Sequence, residues 1–324
     1  MPTTYSHYRF GKEVYKKLTP AQKAIIDPYR GLFDLGLHGP DLLFYYHPFS
    51  KNQINQTGVA IHERPGIAFF LPAASRWRSC RHKKAALAYL YGVLCHFALD
   101  STCHPYVETA VRRTGISHSE IEAEMDRRNM EKDSYNPLTH RPANHLRSKP
   151  GYAETIAVFY PKQSVRQIDA CIHSIRICCN LFVIPNLQMR SLILKLLKLV
   201  HFPKVIREII IKCRKNPDCE PICRELDQLY TQAVPAAVEL IQNFDEVLKG
   251  TGVFDSRFQT PLENFKQSLL EAADMVLRCL LGVPDGTDLH IVSDLIIDLY
   301  IDPVACFMFK NGFAQRGLDT DQSF

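Results

Sequence analysis

The stretch LYGVLCHFALDSTCHP, residues 90–105, carries His96, Asp100 and His104 at intervals of four. On a helix that interval stacks the three side chains on one face, a stripe of nitrogen and oxygen donors. Their neighbours Leu94, Cys95, Phe97, Ala98 and Leu99 are apolar or nearly so. A carboxylate in such surroundings is costly unless it is paired or binds a cation. A buried Asp–His hydrogen bond without a metal would satisfy this segment as well. His118 and Glu122 form a second pair at the same interval, in HSEIE. Alone, such a pair is normally a solvated helix face. Two pairs within thirty residues, with His7, Asp41 and His62 upstream, shift the balance to a metal cluster. Zinc accepts imidazole nitrogen and carboxylate oxygen at about 2.0–2.2 Å. A carboxylate such as Asp100 is able to bridge two ions, and ions about 3.5–4 Å apart suit in-line displacement at phosphorus.

Helices must position these donors, because the chain shows helical periodicity and almost no period-2 stretches. Ten of the thirteen histidines lie within residues 1–145. Apolar spacing from Tyr8 to Ile26, broken at Thr19-Pro20, predicts two helices with proline at the first position of the second. Gly39-Pro40 punctuates residues 31–50, and Asp41 is expected to cap a short helix there. A long helix is expected from Lys83 to about Cys103, with Leu87, Leu90, Tyr91, Leu94 and Ala98 on one face. It should stop near His104, because Pro105 disfavours the α region for the residue before it. Ser117 and Glu120 make a capping box for the next helix. The polar, proline-bearing stretch 131–150 reads as loop. Further helices are expected at 165–181, 187–214, 219–247, 261–282 and 288–300. The expected architecture is all-α: a metal-binding helical core over 1–150, with a helical remainder over 151–324 packing on it as one continuous domain.

At 46% hydrophobic and 23% charged, the 324-residue chain is able to bury a sizeable core, which excludes global disorder. A formal charge of +5 permits an anionic substrate or surface without demanding one. The N-terminus MPTTYSHYRFGKE lacks the apolar region of a signal peptide, and no eighteen apolar residues run uninterrupted. Eleven scattered cysteines then read as reduced thiols of a cytoplasmic protein. Cys213, Cys219 and Cys223 match no usual zinc spacing.

The donors in their order (His7, Gly-Pro-Asp41, Ile-His62, the H-x-x-x-D helix with His104, and H-x-x-x-E) resemble the zinc-dependent phospholipase C family, whose superfamily also includes zinc nucleases. The likeness covers residues 5–128. It implies the helical bundle of that family and a first zinc held by Asp41, His62, His96 and Asp100. It implies a second, more open zinc held by His104, His118 and Glu122. Asp100 would bridge to a third ion, shared with His7 and, in secreted relatives, with the processed N-terminus. The chain departs from the pattern in leaving three residues between Asp100 and His104, where the secreted enzymes have five. Nothing in 151–324 reads as the β-rich lipid-binding domain of some toxin relatives.

The implied reaction is phosphodiester hydrolysis by an activated water, with Asp41 or Asp100 as base. The substrate would be a phospholipid or another phosphodiester. A nuclease-like activity on nucleic acid and a non-catalytic, metal-containing lipid-binding or phospho-ligand-binding protein are the alternatives. Residues 190–215, with eight Lys or Arg and a single Glu among Leu and Ile, suggest peripheral contact with an anionic membrane. An ordinary packed helix with a basic outer face is the simpler reading. Phe44, Tyr45, Tyr46, Phe49, Phe69 and Phe70 would stack bases or line an acyl groove, or simply fill the core. Asp126, one turn beyond Glu122, would support a ligand histidine or pair with a surface arginine. His38, His47, His82, His140 and His145 are expected to be structural.

Overall fold

A computed structural model of the chain describes residues 4–48, 52–181, 183–199 and 210–261. Residues Met1–Glu263 form one compact unit. Among the described residues there are no strands, only helices and one isolated bridge between Pro65 and Pro261. The chain is all-α, as its periodicity predicts.

The unit is built around helix α6, Lys83–Thr114. Every residue from Ala85 to Asp100 is buried, so this segment is core on all sides and has no single apolar stripe. Two helices lie along it: α3, Arg30–Gly36, and a long helix here labelled α11, Glu220–Lys249. Alpha11 buries Ile222, Leu226, Tyr230, Ala233, Ala237, Leu240 and Phe244, the three-and-four spacing of a helix covering a core. The α3–α6 crossing is close enough that a Cβ at Gly36 would strike the Tyr89 carbonyl, and one at Gly92 the Phe33 carbonyl. Only glycine permits that approach.

Alpha6 does not stop near His104. It runs through Pro105 to Thr114 and is closed by Gly115, whose left-handed φ of 71° and N–H bond to the Val111 carbonyl complete the last turn. Proline removes one N–H from the ladder but leaves the flanking bonds available. Around it, Ser101 Oγ donates to the Phe97 carbonyl, Thr102 Oγ1 to Ala98 and Thr109 Oγ1 to Pro105, each at 2.7–2.8 Å. His96, Asp100 and His104 therefore share one unbroken helix.

The first helices follow the sequence closely. Alpha1 is Thr4–Lys17 and α2 Pro20–Ile26, the latter opened by a reciprocal capping box between Thr19 and Gln22. Asp41 caps nothing: it lies inside a 3-10 helix, Gly39–Tyr45, with its carboxylate turned inward. Asn52 then caps α4, Gln53–His62, and Asn55 Nδ2 donates to the carbonyls of Leu43, Phe44 and Tyr46, fastening the 3-10 segment to α4. Alpha5 is Ile67–Arg78. Alpha7 is His118–Lys132, with Ser117 Oγ accepting from the Glu120 N–H.

Alpha8, Tyr152–Ala157, and α9, Val165–Leu181, follow the irregular stretch after α7. Alpha10 is Leu187–Leu199. The helix expected over 187–214 does not reach its end, because residues 210–214 are irregular. There Arg190 spends its buried guanidinium on the carbonyls of Ile184, Leu138 and Ile211, tying together three non-helical stretches whose carbonyls have no helical partner. The expected helices at 261–282 and 288–300, like residues 200–209, lie outside the described residues.

Candidate metal centre

Five elements bring the predicted donors together. His7 comes from α1, Asp41 from the 3-10 helix, His62 from the end of α4, His96, Asp100 and His104 from α6, and His118 and Glu122 from α7. All are buried except His118, whose side chain keeps 25% of its exposure.

Asp100 divides its two oxygens between two histidines. Oδ1 lies 3.1 Å from His7 Nε2 and Oδ2 lies 3.1 Å from His96 Nε2. The rings of His7 and His96 stack with centroids 4.6 Å apart. Asp41 approaches from the other side, with Oδ1 2.9 Å from His62 Nε2 and Oδ2 3.7 Å from His96 Nδ1. One donor atom from each of His7, Asp41, His96 and Asp100 falls within a mutual 4.8 Å, a set able to hold an ion. His62 joins through Asp41. Gly39 makes the approach possible. Its φ is +45°, and a Cβ there would come within 2.5 Å of the His96 ring.

His104, His118 and Glu122 form a second set of the same kind. Glu122 Oε1 lies 3.0 Å from His118 Nε2 and 3.6 Å from His104 Nε2. Between the sets is a cavity of about 40 Å³, room for about one water, where Asp100, His104, Glu122 and Ser6 face a mainly apolar wall that includes Leu99, Val107, Met125 and Leu226.

Two features fit these residues to cations. Both ring nitrogens of His96 are fully buried and make no hydrogen bond, and neither do His7 Nδ1 and Asp41 Oδ2. Orphans of this kind are rare in protein interiors, where each costs about 1–3 kcal/mol. His62 supplies the second feature. Its Nδ1 lies 2.7 Å from the Gly58 carbonyl, which accepts a hydrogen bond from the Nδ1–H and so turns the Nε2 lone pair towards Asp41 Oδ1. Two acceptors at 2.9 Å require a proton or a metal ion between or beside them. Donors about 2.0–2.2 Å from a tetrahedral ion sit roughly 3.4 Å from one another, close to the N–O separations seen here.

The charge balance agrees. Among the described residues, the ion-pair partners of Asp41 and Asp100 are all histidines. Burial alone would raise the Asp100 and Glu122 carboxyls. The surrounding histidines reverse this and hold both far below the ordinary range: His96, His104 and His7 for Asp100, and His118 and His104 for Glu122. Burial drives His96 the other way, down to about 4, so its ring is neutral and ready to ligate. His7 and His62 are also pushed down by burial, but the carboxylates of Asp100 and Asp41 respectively outweigh it and raise them.

Asp126 does neither of the things expected of it. Its oxygens accept from the Tyr5 N–H at 3.1 Å and from the Ser6 N–H and Oγ at 2.8 and 2.7 Å. It caps α1 from across the core, satisfying first-turn donors that have no partner within the helix. Burial pushes its carboxyl up to about 6 against those donors. The neighbouring arginines go elsewhere, Arg127 to Glu124 and Arg128 to Asp227 and Glu220.

Of the remaining histidines, His38 and His145 meet through their Nε2 atoms at 2.9 Å, and His145 stacks on Tyr8 at 4.0 Å. His140 stacks on Tyr135. None of His38, His47, His82, His140 and His145 belongs to either donor set. Tyr45 and Phe70 are core, Phe44 stacks on His62, and Phe49 lies outside the described residues. Cys219 and Cys223 are buried, Cys213 is exposed, and all three are free thiols.

A family model for zinc-dependent phospholipase C matches residues 6–175, which contain every donor of both sets. No curated protein and no solved structure matches the chain.

Proposed function

The chain belongs to the zinc-dependent phospholipase C family, and from that premise we propose that it is a zinc-dependent phosphodiester hydrolase acting on phospholipid. The observation that carries the reading is the buried ring of His96, without a hydrogen bond, between Asp41 and Asp100, a placement that a cation would satisfy. Asp41, His62, His96 and Asp100 would hold one zinc, with His104, His118 and Glu122 holding a second. Asp100 faces His7 as well, so these two would share a third ion.

Bound zinc neutralises phosphoryl oxygens and lowers the pKa of water towards neutrality. The protein's own groups do the rest. Asp41 and Asp100 are the bases that take the proton of the attacking water. Their positions are fixed by the His62 and His7 rings, which in turn are held by the Gly58 carbonyl and by the cap on α1. His118, the most exposed of the donors, marks the side from which a substrate enters.

A phospholipid substrate asks for contact with a membrane. Alpha10 supports it by presenting Leu187, Met189, Leu192 and Leu196 to solvent, each about half exposed. No described helix is long and apolar enough to cross a membrane, so the contact proposed is peripheral, through 190–215. The nine free cysteines among the described residues favour a reducing compartment, the cytoplasm.

The test is metal analysis together with product analysis. Purified protein is expected to carry at least two zinc equivalents and to convert phosphatidylcholine to diacylglycerol and phosphocholine. His118→Ala should lose metal and turnover together. Release of 5′-nucleotides from single-stranded DNA would move the assignment to the nuclease branch. Full zinc content with no turnover of any diester, including a chromogenic one, would leave a binding protein.

A further inference from the structure

Behind α4, on the side away from the metal centre, lies a groove of about 780 Å³ between α4, α5 and the segment 159–163. Its size is that of a small-molecule site, typically about 300–1,000 Å³. Alpha4 divides the two regions: its 53, 56, 57, 60 and 61 positions and Arg64 just beyond its end line the groove, while His62 points to Asp41.

The lining has a consistent chemistry. Arg64, Arg76 and Lys162 bring three positive charges, and no Asp or Glu lines the groove. Ile61, Phe69 and Pro72 supply an apolar wall, with the Phe69 ring half-buried and set against Tyr160 at 5.8 Å. Gln163 is 92% buried; its Nε2 donates to Thr57 Oγ1, and its Oε1 is buried without a hydrogen bond. A buried amide oxygen left in that state costs about 1–3 kcal/mol, which a ligand N–H or O–H would recover.

We propose that this groove is a binding site for an anionic amphiphile: a phosphate head on Arg64, Arg76 and Lys162, a hydroxyl or amine donating to Gln163 Oε1, and an apolar chain along Ile61, Phe69 and Pro72. Lysophosphatidylglycerol has all three parts. The site is separate from the metal centre and shares no side chain with it, so the proposal stands whether or not the centre is hydrolytic.

The test is equilibrium binding of a short-chain lysophosphatidylglycerol, kept monomeric, to the full chain. One saturable equivalent is expected, retained at equal affinity after chelation, which separates this site from the metal centre. The double variant Arg64→Gln/Arg76→Gln should bind at least tenfold more weakly. Gln163→Leu, which keeps the side chain's bulk but offers no acceptor, should weaken binding severalfold, and circular dichroism should show both variants folded. Zwitterionic lysophosphatidylcholine should bind at least tenfold more weakly than the anionic lipid. Absence of saturable binding would overturn the proposal. So would equal affinity for the two lipids, undiminished binding by the folded double variant, or inorganic phosphate binding as tightly as the lipid, since phosphate has no chain to use the apolar wall.

Discussion

The Ser6 N–H donates to Asp126 Oδ1 at 2.8 Å, which anchors the residue before His7 to the middle of α7. Asn129 Nδ2 adds a bond to Ser6 Oγ from the same helix, and Asp126 also takes the Tyr5 N–H. Asp126 lies in the same helix as His118 and Glu122, so one element both supplies donors to the second set and fixes the donor helix of the first. Asp126→Ala would leave the buried N–H groups of Tyr5 and Ser6 without acceptors. A loss of about 1–3 kcal/mol is expected. The ion proposed between His7 and Asp100 should be the first one lost, while the His104, His118 and Glu122 set remains loaded. Calorimetry and metal titration of the variant check this; an unchanged first dissociation constant would show that the cap does not position His7.

Asp100→Asn removes one anionic oxygen from between His7 and His96 while keeping the side chain's size. Its neighbours are imidazoles, so the centre loses one of its three buried carboxylates. Turnover should fall by at least a hundredfold and zinc content by one equivalent or more, read by elemental analysis beside the diester assay. Wild-type activity in this variant would reject Asp100 as bridge and base.

Much of the centre was legible because its signal is local. Four-residue intervals on α6 and α7 translate directly into shared helix faces, and residue type alone limits what a buried Asp100 and His96 are able to do. Pro105 misled because its restriction on the preceding residue is a tendency, which a helix held on one face by buried His104, Val107 and Ala110 overrides. The Asp126 cap could not be read, since it joins residues about 120 positions apart and nothing in the spacing of Ser6 and Asp126 encodes their meeting. The His38–His145 pair was hidden for the same reason. Gly39, in contrast, stood in plain sight beside Asp41, and its role needed only the path of the His96 ring to become clear.

The α3–α6 crossing offers a test of the fold that leaves the chemistry aside. A methyl at Gly36 meets the Tyr89 backbone, which is unable to move without displacing α6. Gly36→Ala should therefore destabilise the protein by about 1–3 kcal/mol through overpacking. Gly115→Ala is the control: nothing lies within 4 Å of its Cβ position, but its φ is 71°. Only the left-handed backbone is penalised there, by about 1 kcal/mol. Chemical denaturation of both variants gives the comparison, and an equal or larger loss at Gly115 would mean the helices are not in backbone contact.

Acid stability follows from the His38–His145 pair. Burial depresses both, His38 well below its ordinary value and His145 to about 3, so both are neutral in the folded protein. Unfolded, each takes up a proton near its usual pKa of about 6.5. The unfolded state thus binds more protons below that pH, and the stability the pair contributes is complete above about 6.5 and lost as pH falls towards about 3. His145→Gln keeps a polar partner for His38 but cannot be charged. Its acid-unfolding midpoint should lie below that of the wild type, with both proteins measured in chelator so that loss of zinc does not enter the difference.

Removing metal should itself be a large perturbation. Without cations the folded state must hold Asp100 and Glu122 ionised against burial, and a ligand that binds only the folded chain stabilises it by about 4 kcal/mol at a thousand times its dissociation constant. Treatment with a chelator should therefore lower the melting temperature by several degrees, and zinc should restore it, whereas magnesium, which prefers all-oxygen octahedral sites, should not. The Asp100→Asn and His118→Ala variants should each show a smaller chelator-dependent shift than the wild type, because each begins with fewer ions to lose. Identical melting curves with and without chelator, in protein shown by elemental analysis to have carried zinc beforehand, would place the metal somewhere other than these buried donors.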